Sequence, residues 1–446
     1  MRISFHTLGC KLNYSETSQL RDQFEKLGHE IVPFGNTTDA VIINTCTVTE
    51  NADTECRKII RKIQQHSPAA FIGVTGCYAQ LKPEEIAEIP GVDAVIGTAE
   101  KLQIDSIILD YTKRAQPELH VHSLEDVEFS CSQSADEDSR TRAFLKIQDG
   151  CDYSCSFCTI PLARGKSRSI DIEQIAQRIN KLEEQGYHEI ILSGINLGDY
   201  KHDEHRLIDV LNLIESIDTT SRFRIGSIEP NLVTNNILEL IAQSKKIVPH
   251  LHMPLQSGSP SILKRMKRRY KLETYVDNMT RFLDLIPHAC IGADVIVGFP
   301  GETDEEFLET CSLIESLPFS YLHVFTYSER DHTLAAALPD SIPMRVRKLR
   351  NARLRNLSDV KRTEFYCSQL GSTHTVIPES YDDNTGLWKG WTENYIRVQF
   401  PASQFLELKP YTIHLDSYLD DSNTVYATLL DIPMLSNGYL QLSVLS

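Results

Sequence analysis

The sequence contains no apolar run approaching the roughly 20 residues that a membrane-spanning helix needs, which excludes an α-helical integral membrane protein. Its opening stretch, MRISFHTLGCKLNYSE, has neither a cationic leader nor a small-residue cleavage site, so the cytoplasm is the expected compartment. Positive charge is also scarce: 45 Lys and Arg stand against 61 Asp and Glu, a net charge of −16. Such a chain does not coat nucleic acid non-specifically, because that binding rests on clustered cations. A specific RNA can still be held by local basic patches. The 15 histidines show no metal-binding spacing above chance; the one near pair, His250 and His252, reads as strand residues near an active site rather than as ligands.

What the sequence does have is apolar material and cysteine. With 41% hydrophobic residues, 446 residues supply buried cores for roughly two to four domains. Eleven cysteines in an intracellular chain point to metal, redox or catalytic use, since the reducing cytosol disfavours a disulfide framework. Cys56, Cys290, Cys311 and Cys367 lack a partner spacing and read as structural or incidental, and Cys131 as a free thiol in a polar linker.

Along the first part of the chain, MRISFHTL, DAVIINTC, AAFIGVTGC and VDAVIGT read as buried strands, with SETSQLRDQFEKLG and ECRKIIRKIQQH as helices between them. Alternation of this kind predicts a parallel α/β sheet covered on both faces. A polar, acidic stretch follows. A second series, RAFLKIQDG, HEIILSGINLG, RFRIGSIEP, IVPHLHMPLQSG, CIGADVIVGFPG and YLHVFTYS, predicts an α/β barrel, partial or complete, with its active site at the carboxyl ends of the strands. The tail, rich in Thr, Tyr and Val with Gly and Asn turns, predicts a small β-barrel. The expected division is 1–118, a linker at 119–140, a core at 141–366 and a β-barrel at 367–446.

Directly after RAFLKIQDG, the segment GCDYSCSFCTIPLARGKSRS sets Cys151, Cys155 and Cys158 at the spacing Cys-x3-Cys-x2-Cys. Three thiolates on one loop suit a four-iron four-sulfur cluster with one iron left open, whereas a closed zinc site needs a fourth ligand. Cys10, Cys46 and Cys77 each follow a predicted strand, so all three can converge at one edge of the first sheet. Spacing alone leaves open whether they hold a second cluster or are buried small hydrophobes. Glu229 and Gln256 also fall at predicted strand ends, as candidate polar contacts or as structural residues.

The triplet, with Phe157 before its last cysteine, resembles the radical S-adenosylmethionine (SAM) superfamily. That resemblance implies that SAM chelates the open iron and is cleaved reductively to a 5′-deoxyadenosyl radical. It sets Ser193-Gly194-Ile195-Asn196 where the superfamily has Gly-Gly-Glu against the SAM amino group, although the Glu is absent here. It also matches Ile296, Gly298, Gly301 and Glu302 of DVIVGFPGE to the apolar strand near the adenine. Over its whole length the chain resembles the methylthiotransferases, through HTLGCKLNYSE, NTCTVT, TGCYAQ, PLARGKSRS, LSGINLGDY, HMPLQSGS, GADVIVGFPGE and GWTENYIRV.

The family implies two 4Fe-4S clusters, the second on Cys10, Cys46 and Cys77 as sulfur source, and a C-terminal RNA-binding TRAM domain. Its implied partners are the tRNA anticodon loop, SAM and an electron donor such as flavodoxin or ferredoxin, with the oligomeric state open. The motifs most resemble the branch that methylthiolates C2 of N6-threonylcarbamoyladenosine at tRNA position 37. Branches acting on isopentenyladenosine in tRNA or on a ribosomal-protein aspartate are the alternatives, with a non-catalytic iron-sulfur RNA-binding protein as the rival of another class. The basic runs Lys264 to Arg269 and Arg345 to Arg355 read as solvated helix faces or as RNA contacts, and Trp388, Trp391, Asn394, Tyr395 and Arg397 as an RNA-binding surface or in part as the buried aromatics of a small core.

Overall fold

The computed structural model describes residues 1–46, 50–124, 133–136 and 139–430; Cys131 and residues 47–49 of the NTCTVT motif lie outside them. The chain divides into two units, Met1–Arg362 and Thr363–Ser446.

The first unit begins with a sheet of strands β1 (Arg2–Thr7), β2 (Glu30–Ile31), β3 (Ala40–Thr45), β4 (Phe71–Gly76), β5 (Ala94–Ile96) and β6 (Glu118–His120). They are all parallel, in the order β2-β1-β3-β4-β5-β6. Successive side chains alternate between the sheet's two faces. Val41, Ile43, Ile72, Val74 and Val95 pack on one side with Ile59, Ile60 and Ile63 of helix Glu50–His66. Ile3, Ile42, Phe71 and Ile96 pack on the other with Leu20 and Phe24 of helix Lys11–Lys26. Both faces are thus covered, and every residue of β3 and β4 is buried. The edge strands β2 and β6, of two and three residues, are too short and polar to show a period in sequence.

The stretch expected to be a linker also contributes structure. It supplies the end of β6, and strand β7 (Gln133–Asp136), which pairs antiparallel with β8 (Ser139–Lys146). A short antiparallel pair, β9 (Gln148–Asp149) and β10 (Arg168–Ser169), brackets the three-cysteine loop. The partial α/β barrel continues with β11 (Glu189–Ser193), the hairpin β12 (Lys201–His202) and β13 (His205–Arg206), then β14 (Arg222–Ile225), β15 (His250–His252), β16 (Cys290–Val297) and β17 (Tyr321–Thr326). Strands β14-β11-β8 and β15-β16-β17 run parallel within their groups, and the bridges Phe223↔Ile247 and Ser227↔His252 join the groups. The helices cover one face of these strands in the largest core of the molecule, which includes Leu145, Leu192, Phe223, Leu251, Ile291 and Leu322. Two of them start on side-chain caps: Asp171 accepts from the Glu173 amide at 3.0 Å, and Thr303 and Glu306 form a capping box.

Helix Met344–Ser368 crosses the boundary between the units. The second unit is a closed barrel of β18 (Thr373–Asp382), β19 (Leu387–Thr392), β20 (Arg397–Pro401), β21 (Tyr411–Leu419) and β22 (Thr424–Leu429), in the order β18-β19-β20-β22-β21. Val376, Trp388, Val398, Phe400, Ile413 and Val425 fill its core. Among the described residues no helix is long and apolar enough to cross a membrane.

Candidate active site

The loop after β9 is held by close backbone packing. Gly150 has φ +71° and a Cβ on it would stand 2.0 Å from the Lys166 carbonyl, so glycine is required there. The Cys151 amide donates to the Gly165 carbonyl at 3.1 Å, and the Cys158 amide to the Cys155 carbonyl at 3.1 Å. Each sulfur has an N–H donor. Tyr153 donates to Cys151 at 3.4 Å, Ile160 to Cys158 at 3.5 Å, and the Arg268 guanidinium to Cys155 at 3.3 Å. Burial, aided by the neighbouring sulfurs, pushes the Cys151 thiol up to about 11 and the Cys158 thiol to about 12. The ready-made donors suit thiolate or sulfide acceptors.

Around this loop lie the strand ends singled out in the sequence. The Ser193 hydroxyl, the Asn196 amide nitrogen and Gln256 Oε1 are buried without a hydrogen-bond partner. Unsatisfied buried polar atoms are costly, and two of these at the end of β11 with a third beyond β15 fit a polar ligand. Gln256 also holds φ +65°, a conformation unfavourable for a residue with a side chain. Gly194 packs against Gln148, whose Oε1 accepts from the Ile195 and Asn196 amides at 2.9 Å each. Phe157 and Ile296, far apart in sequence, share one apolar cluster with Met266, Phe299 and Tyr327. Gly298 has φ +76° and lies against the Arg347 side chain. Glu229 is ion-paired with the buried Arg268, so its carboxylate is engaged by the same arginine that reaches Cys155. Glu302 accepts from the Gly298 amide and pairs with Arg350, a structural use of its carboxylate.

The second cysteine set converges at the carboxyl edge of the first sheet. A Cβ on Gly9 would stand 2.3 Å from Cys46 Cβ, which fixes the Cys10 turn against Cys46. Gly76, at φ +100°, packs on the Thr45 carbonyl and sets Cys77 next to the end of β3. Burial raises the Cys77 thiol, and Cys10 adds to the rise, while Arg164 and Lys101 work against it. The described cysteines form no disulfide.

Sequence reading missed what joins the two sets. Arg164, on the short helix that follows Cys158, is fully buried. It donates to Asn13 Oδ1 at 2.7 Å, Glu16 at 2.9 Å and Asp149 at 3.1 Å. Lys101 pairs with Glu16 at 2.6 Å, and Lys146 reaches both Glu16 and Asp149. Asn13 in turn donates to the Leu8 and Thr45 carbonyls, beside Cys10 and Cys46. Burial alone would raise the Glu16 carboxyl, but Arg164, Lys101 and Lys146 hold it well below the carboxylate range. Asp149 is lowered likewise by Lys146 and Arg164 against its burial. The clue in sequence was a set of charges within otherwise apolar or motif segments, and it has no period.

The basic runs divide by face. Arg265 pairs with Glu306 and Arg268 is buried, which leaves Lys264, Lys267 and Arg269 exposed. Arg347 and Arg350 are buried in pairs with Glu329 and Glu302, whereas Arg345, Lys348, Arg353 and Arg355 are exposed. Each run is therefore divided between buried structural pairs and an exposed face. In the second unit, Trp388 is a core residue whose indole donates to the Ser403 carbonyl, and Asn394 is buried in hydrogen bonds. Trp391 and Tyr395 stack with ring centroids 4.6 Å apart and remain partly exposed, beside the exposed Arg397.

A three-cysteine loop at the head of a partial α/β barrel defines the class, the radical SAM superfamily, whose sequence profile matches residues 145–314. A second profile, of uncharacterized protein family UPF0004, matches residues 2–97. The chain is 40% identical to the threonylcarbamoyladenosine tRNA methylthiotransferase MtaB of Bacillus subtilis, over 90% of this chain and 91% of that one. It is 36% identical to the MtaB of Aquifex aeolicus, over 90% and 96%. The tRNA-2-methylthio-N(6)-dimethylallyladenosine synthase of Staphylococcus haemolyticus is 33% identical, over 97% of this chain and 86% of that one. The chain therefore belongs to the radical SAM methylthiotransferase family, with relatives of the MtaB type. The fold is shared with the radical SAM methyltransferase TsrM from Kitasatospora setae, at TM-score 0.53 and 14% identity, over 75% of this chain and 77% of that one.

Proposed function

We propose that this protein methylthiolates C2 of N6-threonylcarbamoyladenosine at position 37 of tRNA, giving the 2-methylthio derivative. The observation that carries the reading is the presence of two three-cysteine sets in one unit, tied together through buried Arg164. The MtaB relatives, similar over nine tenths of the chain, support the substrate. Bound 4Fe-4S clusters and SAM supply the one-electron cleavage that makes a 5′-deoxyadenosyl radical, and the sulfur for insertion.

The chain's own contribution is placement. Cys151, Cys155 and Cys158 hold the SAM-binding cluster, and Cys10, Cys46 and Cys77 the auxiliary one. Ser193, Asn196 and Gln256 give SAM the polar partners that their buried atoms lack without it. Phe157 and Ile296 form an apolar wall for the adenine and keep water away from the reacting atoms. Gly194 lets the strand end approach closely, as Gly298 does near the adenine. Exposed Lys264, Lys267, Arg345 and Arg355 neutralise phosphates of the anticodon loop, and the Trp391–Tyr395 pair offers a base-stacking surface. A flavodoxin- or ferredoxin-type donor provides the electron.

Mass spectrometry of tRNA nucleosides from cells with and without the gene tests the substrate. Loss of the methylthiolated nucleoside, accumulation of its unthiolated precursor and reversal on restoring the gene are expected. If neither nucleoside changes, isopentenyladenosine tRNA and ribosomal protein, supplied in parallel to purified enzyme, identify the branch instead.

A further inference from the structure

Three neighbouring parallel strands bring His252, Asp294 and His323 together. Asp294 lies opposite His323 in the β16–β17 register, and His252 ends the adjacent β15. Ile291, Ala293, Val295 and Val297 of β16 face the helix-covered core, so Asp294 and Ile296 share the opposite, inner face of the partial barrel. The cluster therefore sits about 7 Å along the strand from Ile296, deeper than the proposed SAM site.

His252 Nε2 stands 3.2 Å, and His323 Nδ1 3.3 Å, from the same oxygen, Asp294 Oδ1. One ligand atom from each of the three residues lies within 4.8 Å of the others. Ligands about 2.0–2.1 Å from a zinc ion at tetrahedral angles stand about 3.3 Å apart, which matches the two nitrogen–oxygen separations here. His252 is further oriented through its other nitrogen, 3.2 Å from the Tyr321 hydroxyl, and that hydroxyl also meets His250 Nε2 at 3.0 Å. Fixing a ligand histidine through its second nitrogen is a regular feature of metal sites.

Charge favours the same reading. Among the described residues no lysine or arginine forms an ion pair with Asp294; its ionic partners are the two imidazoles.

We propose that His252, Asp294 and His323 form a binding site for one divalent transition-metal ion, zinc or iron(II), distinct from both cysteine sets. Two imidazoles and a carboxylate suit these ions, and three protein ligands leave a position open on the inner face of the barrel for an oxygen donor. His323, more than half exposed, lies on the solvent-accessible side of the site.

The test uses cluster-loaded enzyme, equilibrated anaerobically with micromolar Zn2+ by dialysis and analysed for zinc and iron. One zinc per chain with unchanged iron is expected, together with a zinc K-edge spectrum showing nitrogen and oxygen ligands and no sulfur. His323→Ala and Asp294→Asn should each lower zinc uptake at least tenfold while retaining full iron content, which checks that they fold. Equal uptake by wild type and both variants, no uptake at all, or sulfur in the zinc shell would overturn the proposal.

Discussion

The two cysteine sets solve one problem in opposite ways. Cys151, Cys155 and Cys158 occupy a single loop whose own amides supply two of the three sulfur donors. Cys10, Cys46 and Cys77 come from three strand ends, held by close approaches at Gly9 and Gly76 and by buried charges from the neighbouring barrel. A site written into one loop depends mainly on local backbone. A site assembled from separate strands inherits the stability of everything that positions them.

The largest effect that sharpens this contrast is catalytic. Cys155→Ala should abolish formation of 5′-deoxyadenosine from SAM, whereas Cys77→Ala should retain it and lose sulfur insertion; chromatography of both products reads the two outcomes. If Cys77→Ala also ends SAM cleavage, the sets do not divide the work. Next comes the tie between them. Arg164→Met leaves Glu16 and Asp149 short of a buried partner and should cost about 3–5 kcal/mol in a denaturant titration, since breaking a buried ion network is strongly destabilising. The same change should reduce iron loading at the separated set more than at the loop.

A third effect follows from pH. Glu16 and Asp149 have folded pKa values below their ordinary ones, so their stabilisation is complete above those ordinary values and is lost as pH falls toward the folded ones. Stability should decline below about pH 4, with a weaker decline in Arg164→Met, as followed by thermal melts across pH. The smallest effect separates the sets in the other direction. Arg268→Gln removes a charged N–H donor from Cys155 alone, and should lower the midpoint potential of the loop cluster while leaving the other unchanged. Redox titration followed by electron paramagnetic resonance measures both.

Legibility followed the same division. The Cys-x3-Cys-x2-Cys spacing stood in plain sequence because its geometry is local, and the six barrel strands were visible as apolar runs. The closed tail barrel was readable from its turns and β-branched residues. Cys10, Cys46 and Cys77 were each visible at a strand end, but their convergence depends on the order β1-β3-β4, which no spacing states. Arg164, Glu16 and Lys101 were invisible as a network because charges paired across 85 and 148 residues leave no periodic trace. Arg268 was read with a solvated basic run, yet the turn after helix Pro260–Arg265 directs it inward to Glu229 and Cys155. His323 passed unnoticed for a similar reason: its partners lie on two other strands.

The buried arginine also sets an order of assembly. A chain made from its N-terminus completes the sheet holding Cys10, Cys46 and Cys77 well before residue 164 exists. Until then Glu16 has only Lys101, and later Lys146, against it, and Asn13 lacks the guanidinium that fixes its carbonyl. The pocket of the separated cysteines is therefore finished only when the loop carrying the other three has been synthesised, so a truncated chain displays the first set without its closing charge.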